Sequence, residues 1–190
     1  SVSDGRILLC QAEVDTAFVN AVVTIGIKRP RAIKILYSPL HGVGASAVCP
    51  VLAADGFQDV ETFAPHSEPN GDFPNVPNHV SNPENPAVFA SMLERAQQPR
   101  AEVVLATDPD CDRLGVAAPL TLSPGSDWKT LTGNQIGALL TDFVLQTTPV
   151  SQRTSKHFLV KTLVTTEMIR RIGDSYGVLT YGNLLVGFKW

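Results

Sequence analysis

Ala106-Thr107-Asp108-Pro109-Asp110-Cys111-Asp112-Arg113-Leu114-Gly115 sets three carboxylates at alternate positions, directly after the apolar run Val103-Val104-Leu105-Ala106. Such a run between polar segments reads as a buried strand of a mostly parallel sheet. Ligands of open α/β sheets bind beyond the carboxyl ends of the strands, which is where these aspartates fall. Three crowded carboxylates repel one another unless a cation sits among them. Their hard oxygen atoms suit Mg²⁺, Ca²⁺ or Mn²⁺ better than zinc. Arg113 adds a planar positive fork matched to phosphate. The stretch therefore predicts a divalent cation holding a phosphoryl group.

Other readings compete for the same residues. Asp-Pro often does no more than start a solvated turn. An EF-hand loop also begins D-x-D-x-D, but needs Gly at its sixth position and Glu at its twelfth. Arg113 and Pro119 stand there, so that reading fails. A dehalogenase-type phosphatase places D-x-D after a strand, with Asp108 as nucleophile and Asp110 as acid. Asp112 departs from the Thr or Val usual in that family.

At 190 residues the chain has room for one large domain, or one domain and part of another. A hydrophobic content of 44% suffices for a packed core and argues against disorder. The formal charge of -3 gives no reason to expect nucleic acid or an anionic membrane as a partner. Cys10, Cys49 and Cys111 lack C-x-x-C spacing and read as reduced thiols of a cytoplasmic protein. The opening without Met and the close at Gly187-Phe188-Lys189-Trp190 suggest a piece of a longer chain.

Apolar spacing predicts an amphipathic helix over 14–25, with Val14, Ala17, Phe18, Ala21, Val22 and Ile25 inward. Strands follow at 33–37 and 57–63, flanking a helix that ends at Asp55-Gly56, a unit expected to cross over right-handed. Gly42-Val43-Gly44-Ala45-Ser46-Ala47 formally matches the dinucleotide fingerprint G-x-G-x-x-G/A, with Glu61 downstream. A Rossmann-like nucleotide-binding module using Gly42 to Ala47 therefore stays open. Against it, Ser38 to His41 separate the strand from the first glycine, and Pro50 sits early in the helix. Residues 64–86 form a long Pro- and Asn-rich loop, functional or mobile. Asn85 then caps a helix that starts at Pro86 and buries Val88, Phe89, Met92, Leu93 and Ala96.

Beyond the Asp stretch, strands are expected at 114–120 and 128–131. Thr132 caps a helix to about Gln146, with Ile136, Leu139, Leu140, Phe143 and Val144 inside. Residues 147–152 read as a linker. A strand at 158–164, a helix capped by Thr165 and a strand at 177–181 open a further unit. The expected fold is α/β, a mixed or mostly parallel sheet with helices on both faces, over residues 1–149, followed by an incomplete α/β unit over 150–190.

Several motifs then coincide in order. Tyr37-Ser38-Pro39-Leu40-His41-Gly42-Val43-Gly44 resembles the Y-T-P-L-H-G-V-G segment of α-D-phosphohexomutases, the phosphoglucomutase/phosphomannomutase family. Asp72-Phe73-Pro74-Asn75-Val76 and Asn82-Pro83-Glu84 resemble its F-P-x-V and N-P-E loop. Asp108 to Arg113 is similar to its D-x-D-x-D-R metal loop. Thr132 to Leu140 resembles its S/T-G-N-E-L-G-A-L-L helix, and Gly187-Phe188-Lys189-Trp190 its G-F-K-W turn. The Asp-Pro-Asp variant and the Gly-Asn helix point toward the branch of phosphoglucomutase 2 and phosphopentomutase.

The resemblance spans nearly the whole chain and implies domain II and the start of domain III of a four-domain isomerase. It implies reversible movement of phosphate between the 1- and 5- or 6-hydroxyls of a sugar phosphate, through a phosphoserine and a sugar bisphosphate. Mg²⁺ would be held by Asp108, Asp110, Asp112 and that phosphoserine. Arg113 and Lys189 would contact the phosphate, and Gly187 and His41 would help bind substrate. The family's T-A-S-H-N-P serine motif is absent from these residues, so this chain alone is expected to be inactive. The remaining domains of the parent chain are its implied partners, with no nucleic acid and no membrane among them.

Overall fold

The computed structural model describes residues 1–98 and 101–185. It divides into two compact units, Ser1–Thr130 and Leu131–Trp190. The linker at 147–152 places the expected boundary at 149/150. The segment assigned differently is the helix Gly133–Thr147, which packs on the helix Met168–Ser175.

The first unit is a five-stranded mixed sheet with helices. In chain order its elements are α1 (Gln11–Val23), β1 (Ile35–Ser38), α2 (Ala45–Ala54), β2 (Val60–Thr62), α3 (Ala90–Ala96), β3 (Val103–Thr107), β4 (Leu114–Pro119) and β5 (Trp128–Leu131). The strand order is β2-β1-β3-β4-β5. β1 runs parallel to β2, with Tyr37 opposite Thr62, and parallel to β3, with Ser38 opposite Ala106. β4 turns back antiparallel on β3, with Thr107 opposite Leu114. The mixed α/β expectation holds, and the Asp stretch is the turn of a hairpin.

The core lies between the central strands and the α3 segment: Leu36, Val104, Ala106 and Ala117 meet Val88, Phe89, Met92 and Ala96. The expected Asn85 cap is present, but the first turn is 3-10 and α3 itself starts at Ala90. The Asn85 side chain accepts from the Ala87 N–H, and Pro86 occupies the first position of the short 3-10 turn Pro86–Phe89 that leads in. The long loop before it is well anchored. It carries two more 3-10 turns, Ala64–His66 and Pro77–His79, and buries His66 and Val76.

α1 corrects the sequence reading. Val14, Ala17, Phe18, Ala21 and Ile25 are exposed, while Val19, Val22 and Val23 are half-buried. The helix forms about where spacing predicts and packs on α2, but of the expected stripe only Val22 is partly covered.

The second unit holds α4 (Gly133–Thr147), β6 (Phe158–Thr162), α5 (Met168–Ser175) and β7 (Leu179–Leu184). β6 and β7 pair in parallel, Phe158 opposite Leu179. Thr132 caps α4 through a full capping box with Gln135. Leu139, Leu140, Phe143 and Val144 are nevertheless exposed, against expectation, and Leu145 is buried. The reason is the face α4 turns to α5. A Cβ at Gly137 would touch Ile169, Asn134 accepts from the Thr166 N–H, and Asp142 accepts from the Tyr176 hydroxyl. Thr165 is not a cap either. α5 starts at Met168, whose N–H donates to the Thr166 hydroxyl. Among the described residues no helix is long and apolar enough to cross a membrane.

Candidate metal centre

β1 and β3 are parallel neighbours, so the loops at their carboxyl ends emerge on the same edge of the sheet. The loop after β1 runs through His41 to Gly44, and the loop after β3 carries Asp108 to Arg113. The two are in contact. The Val43 N–H donates to the Pro109 carbonyl at 2.9 Å. A Cβ on Gly42 would fall 2.6 Å from the Pro109 carbonyl carbon, and closer still to its Cα and oxygen. A Cβ on Gly44 would collide with the Tyr37 hydroxyl and lie 2.6 Å from Thr107 Oγ1 and 3.1 Å from Cys111 Sγ. Both glycines are buried. The space in front of them is filled by the Asp loop, where the dinucleotide reading needs a pyrophosphate.

Beneath this contact the Tyr37 hydroxyl and Thr107 Oγ1 meet at 2.8 Å, in a buried setting. Burial pushes the Tyr37 phenol up to about 12 despite its bond to Thr107. It therefore stays protonated, and the pair closes the floor of the loop with neutral groups.

Asp108 is the fixed member of the triad. Its side chain is 1% exposed, whereas Asp110 and Asp112 are open to solvent. Oδ1 accepts from the Arg113 backbone N–H at 2.9 Å and Oδ2 from Arg113 Nε at 2.7 Å. Burial pushes its carboxyl up, but the Arg113 backbone bond, side-chain bond and charge together outweigh that and hold it below the usual range. The same contact raises Arg113, against the cost of its own burial. Arg113 Nη1 also donates to Asn82 Oδ1 at 3.3 Å. Cys111 turns the loop with a left-handed φ of 62°, and its N–H donates to the Asp108 carbonyl at 3.0 Å.

One oxygen from each of Asp108, Asp110 and Asp112 lies within 4.8 Å of the others. Three carboxylates against the single guanidinium leave an excess of negative charge, and all the donors are hard oxygens. That donor set fits Mg²⁺, which takes few protein ligands and retains waters. The dehalogenase reading is less well served, because both oxygens of Asp108 already hold Arg113.

His41 sits in the loop after β1, buried, with φ 64°. Its Nδ1 donates to the Glu68 carbonyl at 2.8 Å, and its buried Nε2 has no partner among the described residues. The His66 ring lies 5.5 Å away between centroids. His66 is also buried: Nε2 donates to the Asn75 carbonyl at 3.0 Å, and Nδ1 accepts from Ser38 Oγ at 2.9 Å.

Asp108, Asp110, Asp112 and Arg113 thus come together as the sequence predicts, and His41 lies in the adjoining loop. Gly187 and Lys189 lie outside the described residues. The Tyr37–Thr107 pair, the Ser38–His66 pair and the contact of Asn82 with Arg113 escape sequence reasoning. A polar residue closing an apolar strand, as Thr107 and Ser38 do, is the only local hint of the first two.

Residues 16–120 match the family model described as phosphoglucomutase/phosphomannomutase, alpha/beta/alpha domain II. A phosphoglucomutase of Staphylococcus saprophyticus is 30% identical over 190 residues, 100% of this chain and 33% of the relative. A phosphomannomutase of Mycoplasmoides pirum is 29% identical over 171 residues, 90% of this chain and 30% of the relative. A solved phosphoglucomutase/phosphomannomutase family protein from Burkholderia thailandensis shares the fold, with a TM-score of 0.69 at 20% identity, covering 91% of this chain and 33% of that one. The chain spans about a third of the length of the curated relatives it matches. It belongs to the phosphoglucomutase/phosphomannomutase family, and residues 16–120 are that family's alpha/beta/alpha domain II.

Proposed function

We propose that the chain is the metal-binding segment of a cytoplasmic phosphosugar mutase, which moves phosphate between the 1- and 5- or 6-positions of a sugar phosphate. The observation that carries this reading is the juxtaposition of Asp108, Asp110 and Asp112 with an arginine anchored to the buried member of the three. Phosphoryl transfer needs positioning and charge neutralisation more than covalent chemistry from the protein. Bound among these carboxylates, Mg²⁺ supplies electrostatic polarisation of the transferring group.

The chain's own residues orient and neutralise. Asp108 stays ionised because Arg113 holds both of its oxygens. Arg113 presents the rest of its fork to a phosphoryl oxygen. Lys189, Gly187 and His41 are the further residues this reading assigns to binding the substrate phosphate. The nucleophilic phosphoserine belongs to another part of the parent chain, with a sugar bisphosphate as activator, so these 190 residues alone turn over no substrate.

The test uses the full-length parent and its Asp110→Asn variant, with glucose 1-phosphate and ribose 1-phosphate, Mg²⁺ and a trace of sugar bisphosphate. Wild-type conversion that falls by at least about a hundredfold in the variant is expected, since oriented charges carry most of this chemistry. A variant as active as wild type, or a wild type that converts neither sugar, defeats the reading.

A further inference from the structure

Asn82-Pro83-Glu84 matches a family motif, yet the chemistry proposed above does not use it. Its surroundings show what it grips. Ser81 donates its hydroxyl to the buried Leu40 carbonyl at 2.9 Å, tying the segment to the loop after β1. The Pro83 carbonyl lies against Gly115, where a Cβ has no room, tying it to β4. Between these anchors Asn82 Oδ1 accepts twice, from the Glu84 backbone N–H at 3.0 Å and from Arg113 Nη1 at 3.3 Å.

Arg113 is therefore held at two points. Nε is on Asp108 at 2.7 Å and Nη1 on Asn82. A guanidinium is a rigid planar fork, so two bonds to differently placed acceptors set both its plane and its rotation. Among the described residues Nη2 makes no hydrogen bond, and the side chain is 47% exposed. Nη2 is the donor left for an incoming oxyanion.

We propose that Asn82 is the positioning residue for Arg113, setting the rotation of the guanidinium so that Nη2 meets a phosphoryl oxygen while Nε stays on Asp108. This rests on the mutase reading. Without the Asn82 bond the remaining side-chain contacts, to Asp108 at 2.7 Å and Asp112 at 3.7 Å, both act on Nε, and nothing among the described residues holds the terminal nitrogens. A donor that must be ordered at each turnover loses the advantage of being preorganised.

The rival reading is that Asn82 merely shapes its own turn by accepting from Glu84. Asn82→Ser separates the two. A serine hydroxyl still accepts from the N–H two residues on but is too short to reach Arg113, whereas Asn82→Asp keeps both bonds. In ¹⁵N NMR of this chain, Arg113 Nη1 and Nη2 should be resolved in wild type and Asn82→Asp, and merged by fast rotation in Asn82→Ser. In the parent enzyme, Asn82→Ser should lower kcat about tenfold, with KM for glucose 1-phosphate within about twofold and the melting temperature unchanged; Asn82→Asp should stay within about threefold of wild type.

Nη resonances that remain resolved in Asn82→Ser, or a kcat equal to wild type, overturn the proposal. A wild-type parent without mutase activity defeats the underlying reading instead. The NMR comparison then decides the link between Asn82 and Arg113 on its own.

Discussion

Gly42 lies against Pro109 so closely that the Pro109 backbone occupies the place of a side chain. The two belong to different loops, one after β1 and one after β3, and the Val43 N–H bond to the Pro109 carbonyl sits beside their contact. A glycine that looks like part of a nucleotide fingerprint is here a seat for the carboxylate loop. The chemistry of Asp108 to Arg113 depends on a residue far away in sequence that contributes no chemistry itself.

Gly42→Ala is accordingly expected to destabilise the first unit by about 2 kcal/mol, the usual range for overpacking a closed site. The obstacle is backbone and cannot swing aside, so the Asp loop must shift. Urea unfolding of this variant beside Gly71→Ala, where nothing lies within 4 Å of the added Cβ, is the check. Equal stability in the two variants would remove the proposed seat.

Asp108 gives a pH signature. Its folded pKa is held below the ordinary value of about 3.9, so the unfolded chain binds more protons as the medium turns acid. Its contribution is fully present above about pH 4 and is lost as pH falls through the folded value. Asp108→Asn should cost about 2 kcal/mol at neutral pH, through the weakened bonds to Arg113, and should flatten the acid limb below about pH 4. Unfolding free energy measured across that range would show an unchanged limb if Asp108 were not held ionised.

His66 acts in a higher window. Burial lowers its folded pKa, the bond to the Asn75 carbonyl opposes that, and the His41 charge adds to the lowering. The unfolded imidazole takes its proton near pH 6.5, the folded one only further down, so stability should fall as pH drops below about 6.5. His66→Gln should lose that slope while costing about 1 kcal/mol at alkaline pH, where only its hydrogen bonds are at stake. Denaturant midpoints on both sides of this window measure it, and a slope retained in His66→Gln would place the titration elsewhere.

Much of the architecture was legible because it is local. The run Val103 to Ala106 followed by alternate aspartates predicts a buried strand and a carboxylate cluster at its end, and both are there. Asn85 with Pro86, the stripe Val88, Phe89, Met92 and Ala96, and Thr132 with Gln135 are set by contacts within a turn or two of the chain. The stripes of α1 and α4 misled for the converse reason. Apolar spacing says that a helix can have an apolar face, but which face is covered depends on the neighbour it meets. α4 meets α5 across Asn134, Gly137 and Asp142, where a small residue allows close approach and polar side chains find partners.

By itself, then, the sequence determined the periodic elements, their caps and the presence of three carboxylates in one short loop, since each follows from residues a few positions apart. Tertiary structure alone decided that Asp108 is buried while Asp110 and Asp112 face solvent. It also decided that Tyr37 closes on Thr107, that Gly42 seats Pro109 and that Asn82 grips Arg113. Those contacts join segments brought together by strand order and register. A hydrogen bond between residues thirty or seventy positions apart leaves no local trace in sequence, because either partner would satisfy its own backbone equally well with another neighbour.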